Sequence, residues 1–270
     1  SILISGKEMS YNNYLDADVA FSSTNNFKEN CVSIVKHTNI CGLSINSNQL
    51  KAFKDAVKGD SVSAYGGILG FNSLLEEEVS KEIIKSFFEI VIAPKFSHQA
   101  LEILKKRKNL RILKEKYSPP NQLYYRSISG GLLAQSQNLD EKYDLKIVTK
   151  NKPSNKQLED LKFAWKLCSF IKSNAIILAK NKTLLGMGAG QPNRVMSVKI
   201  AGEVAGEKSV GCVMASDAFF PFPDSIIRAN DLGIKSIIQP GGSINDYDVI
   251  EEANNRGISM VFTNQRRFTH

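Results

Sequence analysis

The sequence is poor in the residues that build metal centres and disulfide frameworks. It has three histidines in 270 residues and four cysteines, which are Cys31, Cys41, Cys168 and Cys212. No two cysteines have the C-x-x-C spacing of a zinc site or redox motif, and scattered cysteines do not define a disulfide framework. We therefore expect no metal site and interpret the four cysteines as small buried hydrophobic residues.

Long hydrophobic runs are also missing. No segment approaches the roughly 20 apolar residues that cross a bilayer. The first ten residues, SILISGKEMS, have neither the basic flank nor the apolar core of a secretory signal. These features predict a cytoplasmic protein with no membrane contact. Because the chain begins with Ser1, we also expect a fragment or a processed product.

Acidic residues are outnumbered, and the formal net charge is +8. The lysines are spread along the chain, and the densest basic cluster, at residues 105–108, falls at the end of a helix-like stretch, where cations suit the helix dipole. No aromatic residues alternate with this cluster, as a platform for single-stranded nucleic acid requires. We therefore expect no nucleic-acid partner.

Short apolar runs alternate with amphipathic segments of helix length. CVSIV, GGILGF and EIVIAP alternate with NQLKAFKDAV and LLEEEVSKEIIKSFF, and AIILAK, GCVMAS and SMVFT continue the pattern to the end. The chain is long enough, and with 42% hydrophobic residues apolar enough, to bury a sizeable core. This alternation predicts an α/β protein.

Two stretches resemble copies of one unit, with matching spacing at 94–97 and 240–243. In each, a Pro ends a strand and a Ser can cap the following helix. Between them, a polar connector leads into a helical face that carries Trp165, which we expect in the core. The repeat predicts duplicated subdomains at 1–143 and 173–270, joined by a connector and packing helix at 144–172.

The dipeptide Lys36-His37 follows the strand-like run 32–35 in the string VKHTNICG. A strand end of this kind presents a proton donor and a proton acceptor side by side to a ligand. A single histidine at a strand end is more often a hydrogen-bonded structural residue. The neighbouring segments have to decide between the two interpretations.

Two glycine-rich segments provide candidate binding loops. In SAYGGILGFN, Gly66 follows Tyr65, and paired glycines allow either close approach of a ligand or simply a tight turn before a strand. In GMGAGQPNR, three glycines precede Gln191 and Arg194 at a helix start, where free N–H groups attract anions. The second segment resembles a dinucleotide fingerprint only loosely, since no acidic residue follows at a strand end.

Aromatic residues concentrate after the strand-like run GCVMA and at the C-terminus. SDAFFPFPD places the ring-bearing residues Phe219, Phe220, Pro221 and Phe222 between Asp217 and Asp224, at a strand end where ligands of α/β sheets gather. A Pro-Phe-Pro string forms no regular structure, and buried carboxylates need partners, so we interpret it as a wall for a flat heteroaromatic ligand. The terminal QRRFTH follows a strand, which predicts a fixed position near the same edge.

These motifs together resemble one family. VKHTNICG, SAYGGILGFN, SGGLLAQ, FIKSNAIILAKN, GMGAGQPNRV, MASDAFFPFPD, IIQPGGSI and RRFTH are similar, in order and over nearly the whole chain, to the transformylase domain of the bifunctional AICAR formyltransferase and IMP cyclohydrolase family. The resemblance implies tandem cytidine-deaminase-like α/β/α subdomains with a connecting helix. Since H-x-E and P-C-x-x-C signatures are absent from the sequence, deaminase chemistry is not expected.

The resemblance implies transfer of a formyl group from 10-formyltetrahydrofolate to the 5-amino group of AICAR. His37 matches the proton acceptor of the family, and Lys36 matches the residue that stabilises the oxyanion or protonates the departing folate nitrogen. Asn174 matches a residue that holds the carboxamide near the reacting centre. The folate is a cosubstrate, no tightly bound cofactor is implied, and a structural monovalent cation is left open.

The resemblance also implies two sets of binding residues in a homodimer whose active site lies at the subunit interface. Arg266 matches a residue that grips the 5′-phosphate, and Phe219 borders both ligands. The AICAR set is Arg194, Arg266, Phe219, Phe268, His270, Gly190 and Gln191. The folate set is Val62, Tyr65, Gly66, Pro221 and Asp224.

The chain departs from the family in three places. Ile40 stands where bacterial members usually have Pro, and Pro223 stands where many have Arg. The family's Arg-Tyr-Gly and Asn-Pro-His-Gln elements, and its cyclohydrolase domain, would precede Ser1, so cyclohydrolase activity is not expected. Two alternatives stay open: a truncated, catalytically impaired nucleotide- or folate-binding module, and a zinc-independent hydrolase on the same fold.

Overall fold

The computed structural model describes residues 1–116, 123–136 and 143–270, and it has the α/β architecture that the alternation predicts. We call residues 1–116 the first half and residues 143–270 the second half. The first half contains β1 (Ile2–Ser5), α1 (Tyr11–Asn25), β2 (Cys31–Lys36), β3 (Asn39–Ile45), α2 (Gln49–Gly59), α3 (Ser61–Ala64), β4 (Ile68–Phe71), β5 (Leu74–Leu75), α4 (Glu77–Ile83), β6 (Ile90–Ala93), β7 (Lys95–Phe96), α5 (His98–Lys105) and β8 (Arg111–Lys114).

A separate two-stranded hairpin and the second half complete the described chain. The hairpin is β9 (Leu123–Ile128) and β10 (Gly131–Ser136). The second half contains β11 (Lys146–Ile147), α6 (Asn155–Cys168), β12 (Ile176–Lys180), β13 (Thr183–Gly188), α7 (Arg194–Ala205), a 3-10 turn (Gly206–Ser209), β14 (Val213–Ser216), α8 (Asp224–Asp231), β15 (Ser236–Gln239), α9 (Asp246–Asn255) and β16 (Ser259–Phe262).

One twelve-stranded sheet runs through both halves in the order β1-β8-β6-β4-β2-β3-β13-β12-β14-β15-β16-β11. The halves join where β3 and β13 pair antiparallel at Ser44 and Thr183, whose hydroxyl oxygens are 2.8 Å apart. Counted outward from this seam, the strands of the two halves follow the same order: β3, β2, β4, β6 and β8 on one side, and β13, β12, β14, β15 and β16 on the other. Each half has an antiparallel hairpin (β2–β3 or β12–β13) followed by three parallel strands (β4, β6 and β8, or β14, β15 and β16).

The helices lie on both faces of the sheet and repeat with the strands. One continuous apolar cluster packs α1 and α6 against the same face of the sheet, and it includes the fully buried Trp165, as predicted. The opposite face is covered by α2, α4 and α5 in the first half and by α7, α8 and α9 in the second. The duplicated plan follows the repeat in the sequence, whereas the subdomain boundaries at 143 and 172 stay a prediction.

The two predicted serine caps have different outcomes. Ser97 caps α5 by accepting a hydrogen bond from the Ala100 amide at 3.1 Å, as expected. The cap predicted at Ser243 is wrong, since α9 begins at Asp246 and Ser243 Oγ accepts from the Asn245 amide instead. The physical reason lies just before it: Gly241 and Gly242 both have positive φ, so the chain turns further before helical geometry starts.

The cysteines behave as small hydrophobic residues. All four are free thiols; Cys31, Cys168 and Cys212 are buried and Cys41 is half-buried. Burial raises the pKa of Cys41 to about 12 and that of Cys212 to about 11. In the described part of the chain, no helix has both the length and the apolar character that crossing a membrane requires.

Candidate active site

The strand directions gather the candidate residues at one edge of the sheet. The pairing pattern makes β2, β13, β14, β15 and β16 end at the edge where β4 and β12 begin, and we call it the site edge. The predicted residues all lie in segments that enter or leave the sheet at this edge, or at the start of α7 and α8. They are Lys36, His37, Val62, Tyr65, Gly66, Asn174, Gly190, Gln191, Arg194, Phe219, Pro221, Asp224, Arg266, Phe268 and His270.

The β2–β3 turn presents the Lys36-His37 pair. Lys36 is the last residue of β2, and its Nζ donates to the carbonyl oxygen of Tyr65 at 2.9 Å. His37 is exposed and occupies the left-handed region with φ of +54°, as does Thr38 with +59°. The turn therefore leaves His37 exposed, and Lys36 links the end of β2 to the loop before β4.

The pair opens onto a cleft of about 380 Å³ between the first half and α7. Polar groups at its wall include Asp60 and Gln191, and the apolar wall comes from β13 and α7. The lining residues are Lys36, His37, Asn39, Cys41, Asp60, Ser63, Leu184, Gly186, Met187, Ala189, Gln191, Ile200 and Val204. A cation, an imidazole and an amide thus share one cavity, which can hold a polar reacting group against an apolar surface.

Asn174 and Arg194 belong to a buried polar network at the start of α7. Arg194 Nη2 donates to Asn174 Oδ1 at 2.6 Å, and Nη1 donates to Ser216 Oγ at 2.9 Å and to Asp217 Oδ1. Asn174 Nδ2 donates to the carbonyl oxygen of Gln191 at 2.7 Å. The network connects the cleft residue Gln191 to the end of β14. The side chains of Asn174 and Arg194 are both hydrogen-bonded to other residues of the chain.

Asp217 has a different position from the one expected of a ligand wall. It is fully buried, and its carboxylate accepts from Arg194 and from the Ser173 hydroxyl. Its backbone oxygen accepts from the Arg267 amide at 2.9 Å. The Arg194 guanidinium and the Ser173 hydroxyl compensate the burial of this carboxylate. Asp217 therefore holds other site residues in place and does not face a ligand.

The C-terminal segment lies at the site edge beside the aromatic string. The Arg266 guanidinium is 5.0 Å from the ring centre of Phe219 and 5.8 Å from that of Phe268. Phe268 in turn is 5.7 Å from the ring of His270. Thr269 anchors the tail, since its hydroxyl donates to the Ser169 carbonyl at 2.8 Å. The structure brings Arg266, Phe219, Phe268 and His270 together as one cationic and aromatic patch, in which Phe219 is half-buried and the other three are exposed.

The folate set falls into two separate groups. Val62 is 85% exposed and Tyr65 is 64% exposed, with the Tyr65 ring 5.5 Å from that of Phe87. Asp224 is exposed at the first position of α8, where its Oδ1 accepts from the Ser225 amide at 2.7 Å. Among the described residues, no hydrogen bond, ion pair or ring contact joins the two groups within one chain.

Gly66 and Gly190 support loops at this edge. Both have positive φ, of +73° and +65°. The Gly66 amide donates to Phe87 O at 2.9 Å, and the Gly190 amide donates to Lys172 O at 2.8 Å. Pro221 is held by Asn245, whose Nδ2 donates to its carbonyl oxygen at 2.7 Å.

One residue at the site was missed by the sequence reasoning. Asp16 in α1 is buried and accepts from the amides of His37 and Thr38 at 3.2 and 2.5 Å. A detectable signal existed, because Asp160 stands 21 residues before the second hairpin turn, as Asp16 stands 21 residues before the first. Aligning the two halves at their hairpins, rather than at their Pro-Ser motifs, reveals it.

No metal centre is seen in the residues that the structure describes. Across 1–116, 123–136 and 143–270, no group of three or more His, Cys, Asp or Glu side chains is arranged to hold an ion.

The fold and this edge define a class: a duplicated α/β protein that gathers polar and aromatic side chains at the strand ends of one continuous sheet. Comparison with known proteins then identifies the family. The family model for the AICARFT/IMPCHase bienzyme matches residues 1–204, and the chain belongs to this family.

Curated relatives extend the match to the whole chain. Proteins named bifunctional purine biosynthesis protein PurH are 50% identical in Prochlorococcus marinus, over 99% of this chain and 54% of the relative. The corresponding values are 48%, 98% and 53% for Thermoanaerobacter, and 46%, 99% and 52% for Dictyostelium discoideum. The chain spans about half the length of the curated relatives it matches.

Proposed function

We propose that the protein acts in purine biosynthesis as an AICAR formyltransferase. It would transfer the formyl group of 10-formyltetrahydrofolate to the 5-amino group of AICAR, giving the formylated nucleotide and tetrahydrofolate. The observation that carries the proposal is that Lys36 and His37 open onto one cleft with Gln191, in a chain of this family. The fold proposed with it is the cytidine-deaminase-like pair of subdomains, supported by the duplicated strand order.

The proposed reaction needs help at two atoms. The 5-amino group of AICAR is a weak nucleophile because its lone pair is delocalised, so His37 accepts its proton as the nitrogen attacks the formyl carbon. Lys36 first stabilises the oxyanion of the tetrahedral intermediate and then donates a proton to the folate nitrogen as its bond to the formyl carbon breaks. Solvent returns one proton to Lys36 and removes the other from His37.

The proposed AICAR site places the nucleotide along the site edge. Arg266 has an exposed guanidinium beside Phe219 and Phe268, which suits a phosphate that must be held at a solvent-facing position. Asn174 and Gln191 would orient the carboxamide near His37, and Gly190 with His270 would border it. Since Arg194 is already bound to Asp217, it would act by holding Asn174 in position through their hydrogen bond.

The proposed folate site requires a second copy of the chain. The exposed Val62 and Tyr65 and the half-buried Gly66 lie in the first half, whereas Pro221 and Asp224 lie in the second. A homodimer in which one subunit presents the first group and its partner presents the second would bring them together. The Asp224 carboxylate would accept from the pterin amino and ring N–H groups. A structural monovalent cation and a cytoplasmic location stay predictions.

One assay tests the proposal. Purified protein is mixed with AICAR and 10-formyltetrahydrofolate, and release of tetrahydrofolate is followed together with formation of the formylated nucleotide by mass spectrometry. Stoichiometric formation of both products is expected. Absence of turnover at saturating concentrations of both substrates would contradict the enzyme assignment.

A second candidate is a binding module that holds the nucleotide or the folate without turnover. The internal engagement of Arg194 favours it, because the guanidinium has its donors on Asp217, Ser216 and Asn174 rather than free for a ligand. Calorimetric titration distinguishes the two candidates. Binding of AICAR with no product would favour the module.

A further inference from the structure

The turn that carries His37 has an unfavourable backbone. His37 and Thr38 have φ of +54° and +59°, so both central residues of a two-residue hairpin turn are left-handed. Asn-Gly adopts this geometry most readily. A β-branched residue such as Thr rarely takes a positive φ. The turn sequence does not favour its own geometry, and other groups have to stabilise it.

Asp16 and two neighbouring side chains bind the backbone of the turn. Asp16 Oδ2 accepts from the His37 amide at 3.2 Å, and Oδ1 accepts from the Thr38 amide at 2.5 Å. The His37 carbonyl oxygen accepts from Thr38 Oγ1 at 2.7 Å and from Asn39 Nδ2 at 2.9 Å. Both backbone polar groups of His37 are therefore held by side chains, which fixes the point from which the imidazole extends.

The second half repeats this arrangement away from the candidate site. Asp160 in α6 is buried and accepts from the amides of Asn181 and Lys182 at 2.9 and 2.7 Å. Both turn residues have φ of +53°. Since β12 runs antiparallel to β13 and β14, this turn lies at the edge opposite the site edge. Asp160 therefore provides an internal control with the same hydrogen bonds and no candidate catalytic residue.

We propose that Asp16 is a positioning residue for formyl transfer: its carboxylate holds the His37–Thr38 turn so that the imidazole stays where it accepts the proton of the attacking amine. The inference rests on the proposed function, because it assigns Asp16 an effect on the proton acceptor named there. A displacement of about 1 Å at a reacting group can cost about a hundredfold in rate. Asp16 does not line the cleft, so the effect belongs in kcat rather than in KM.

The test compares Asp16→Asn with Asp160→Asn. In each variant one carboxylate oxygen is replaced by an NH₂ group, which cannot accept from the backbone amide. We expect the melting temperature to fall by a similar amount in both variants. For Asp16→Asn, kcat falls about tenfold or more while KM for AICAR changes by less than about twofold. For Asp160→Asn, kcat stays within about twofold of wild type. Equal kcat values in the two variants would overturn the proposal.

A double variant separates positioning from a general loss of stability. If Asp16 acts through His37, adding Asp16→Asn to His37→Ala lowers kcat no further, because the group being positioned is already gone. A further tenfold loss shows another route and overturns the inference. Should Asp16→Asn fail to fold, Thr38→Gly is added, because Gly accepts the left-handed φ at little cost, and the pair is compared with Thr38→Gly alone.

A measurement that needs no turnover keeps the two proposals distinguishable. The chain has three histidines, so ¹³C-labelled histidine gives three resolvable ring signals. The His37 signal shifts or broadens in Asp16→Asn and not in Asp160→Asn, while the signal of His98 stays fixed in both. An unchanged His37 signal in Asp16→Asn overturns the positioning role, whereas an inactive wild-type protein overturns only the proposed reaction.

Discussion

Arg194 and Asp217 form a buried ion pair that joins the start of α7 to the end of β14. Arg194 is 8% exposed and Asp217 is fully buried, and Asn174, Ser173 and Ser216 complete the hydrogen bonds around them. The pair lies directly behind the cleft residue Gln191, through Asn174. Loss of the ion pair should therefore both destabilise the second half and disturb the position of Gln191.

Asp217→Asn should destabilise the protein strongly. The substitution leaves the Arg194 guanidinium buried without its carboxylate, and breaking such a pair typically costs about 3–5 kcal/mol. Urea denaturation followed by circular dichroism measures the free energy of unfolding. The matched control is Glu203→Gln, which removes the exposed partner of Lys199 at 3.8 Å and should change it by less than about 0.5 kcal/mol. Equal losses in the two variants would contradict the structural role of the pair.

His37→Ala should lower turnover severely but measurably, and it should leave the fold and AICAR binding intact. The side chain is exposed, so its removal creates no cavity, while the proposed proton acceptor is lost and kcat should fall at least about a hundredfold. Steady-state kinetics and calorimetric titration with AICAR measure the two effects separately.

The control for this variant is His98→Ala. His98 is an exposed histidine at the start of α5, which follows β6 and the short β7, and β6 ends at the edge opposite the site. Its removal should leave kcat unchanged. A near-normal rate in His37→Ala would reject the assignment of His37 as the base.

The sequence predicts those parts of this fold that depend on short-range patterns. Alternating apolar runs identify the strands, and the 3.6-residue period of α6 identifies Trp165 as a core residue. Family motifs name the candidate residues, and the topology then places them at one edge. The sequence does not reveal long-range pairing. The ion pair of Arg194 with Asp217, for example, depends on β14 lying beside β12 in the sheet. Asp16 was missed because its partners are two backbone amides, which have no sequence signature, and only an alignment of the two halves at their hairpin turns matches it with Asp160.

Gly188→Ala should destabilise the packing of α7 against β13, the two elements that flank Gln191. A Cβ at Gly188 would lie 2.0 Å from the backbone oxygen of Ser197 in α7, and backbone cannot move aside as a flexible side chain does. The clash should cost about 1–3 kcal/mol or more and push α7 away from β13. Thermal unfolding measures the loss. In Gly131→Ala, where the nearest atom is 4.0 Å away, the melting temperature should barely change, and a comparable drop there would contradict the steric argument.

Stability should fall at alkaline pH through the buried thiol of Cys212. Burial raises its pKa from 9.0 to about 11, so the folded state keeps a proton that the unfolded state has released. The thiol therefore contributes its full stability below pH 9.0, and this contribution decreases as the pH rises from 9.0 to about 11. The slope expected from this one group is about 1 kcal/mol per pH unit.

The measurement is the free energy of unfolding by urea at several pH values in that window, for the wild type and for Cys212→Ala. All other ionisable groups are present in both proteins, so the difference between the two curves isolates the thiol. Cys212→Ala should start less stable because it loses a buried sulfur, and its curve should fall less steeply with pH. Parallel curves would show that Cys212 ionises alike in both states, against a pKa set by burial. A steeper fall in the variant would reverse the sign of the linkage.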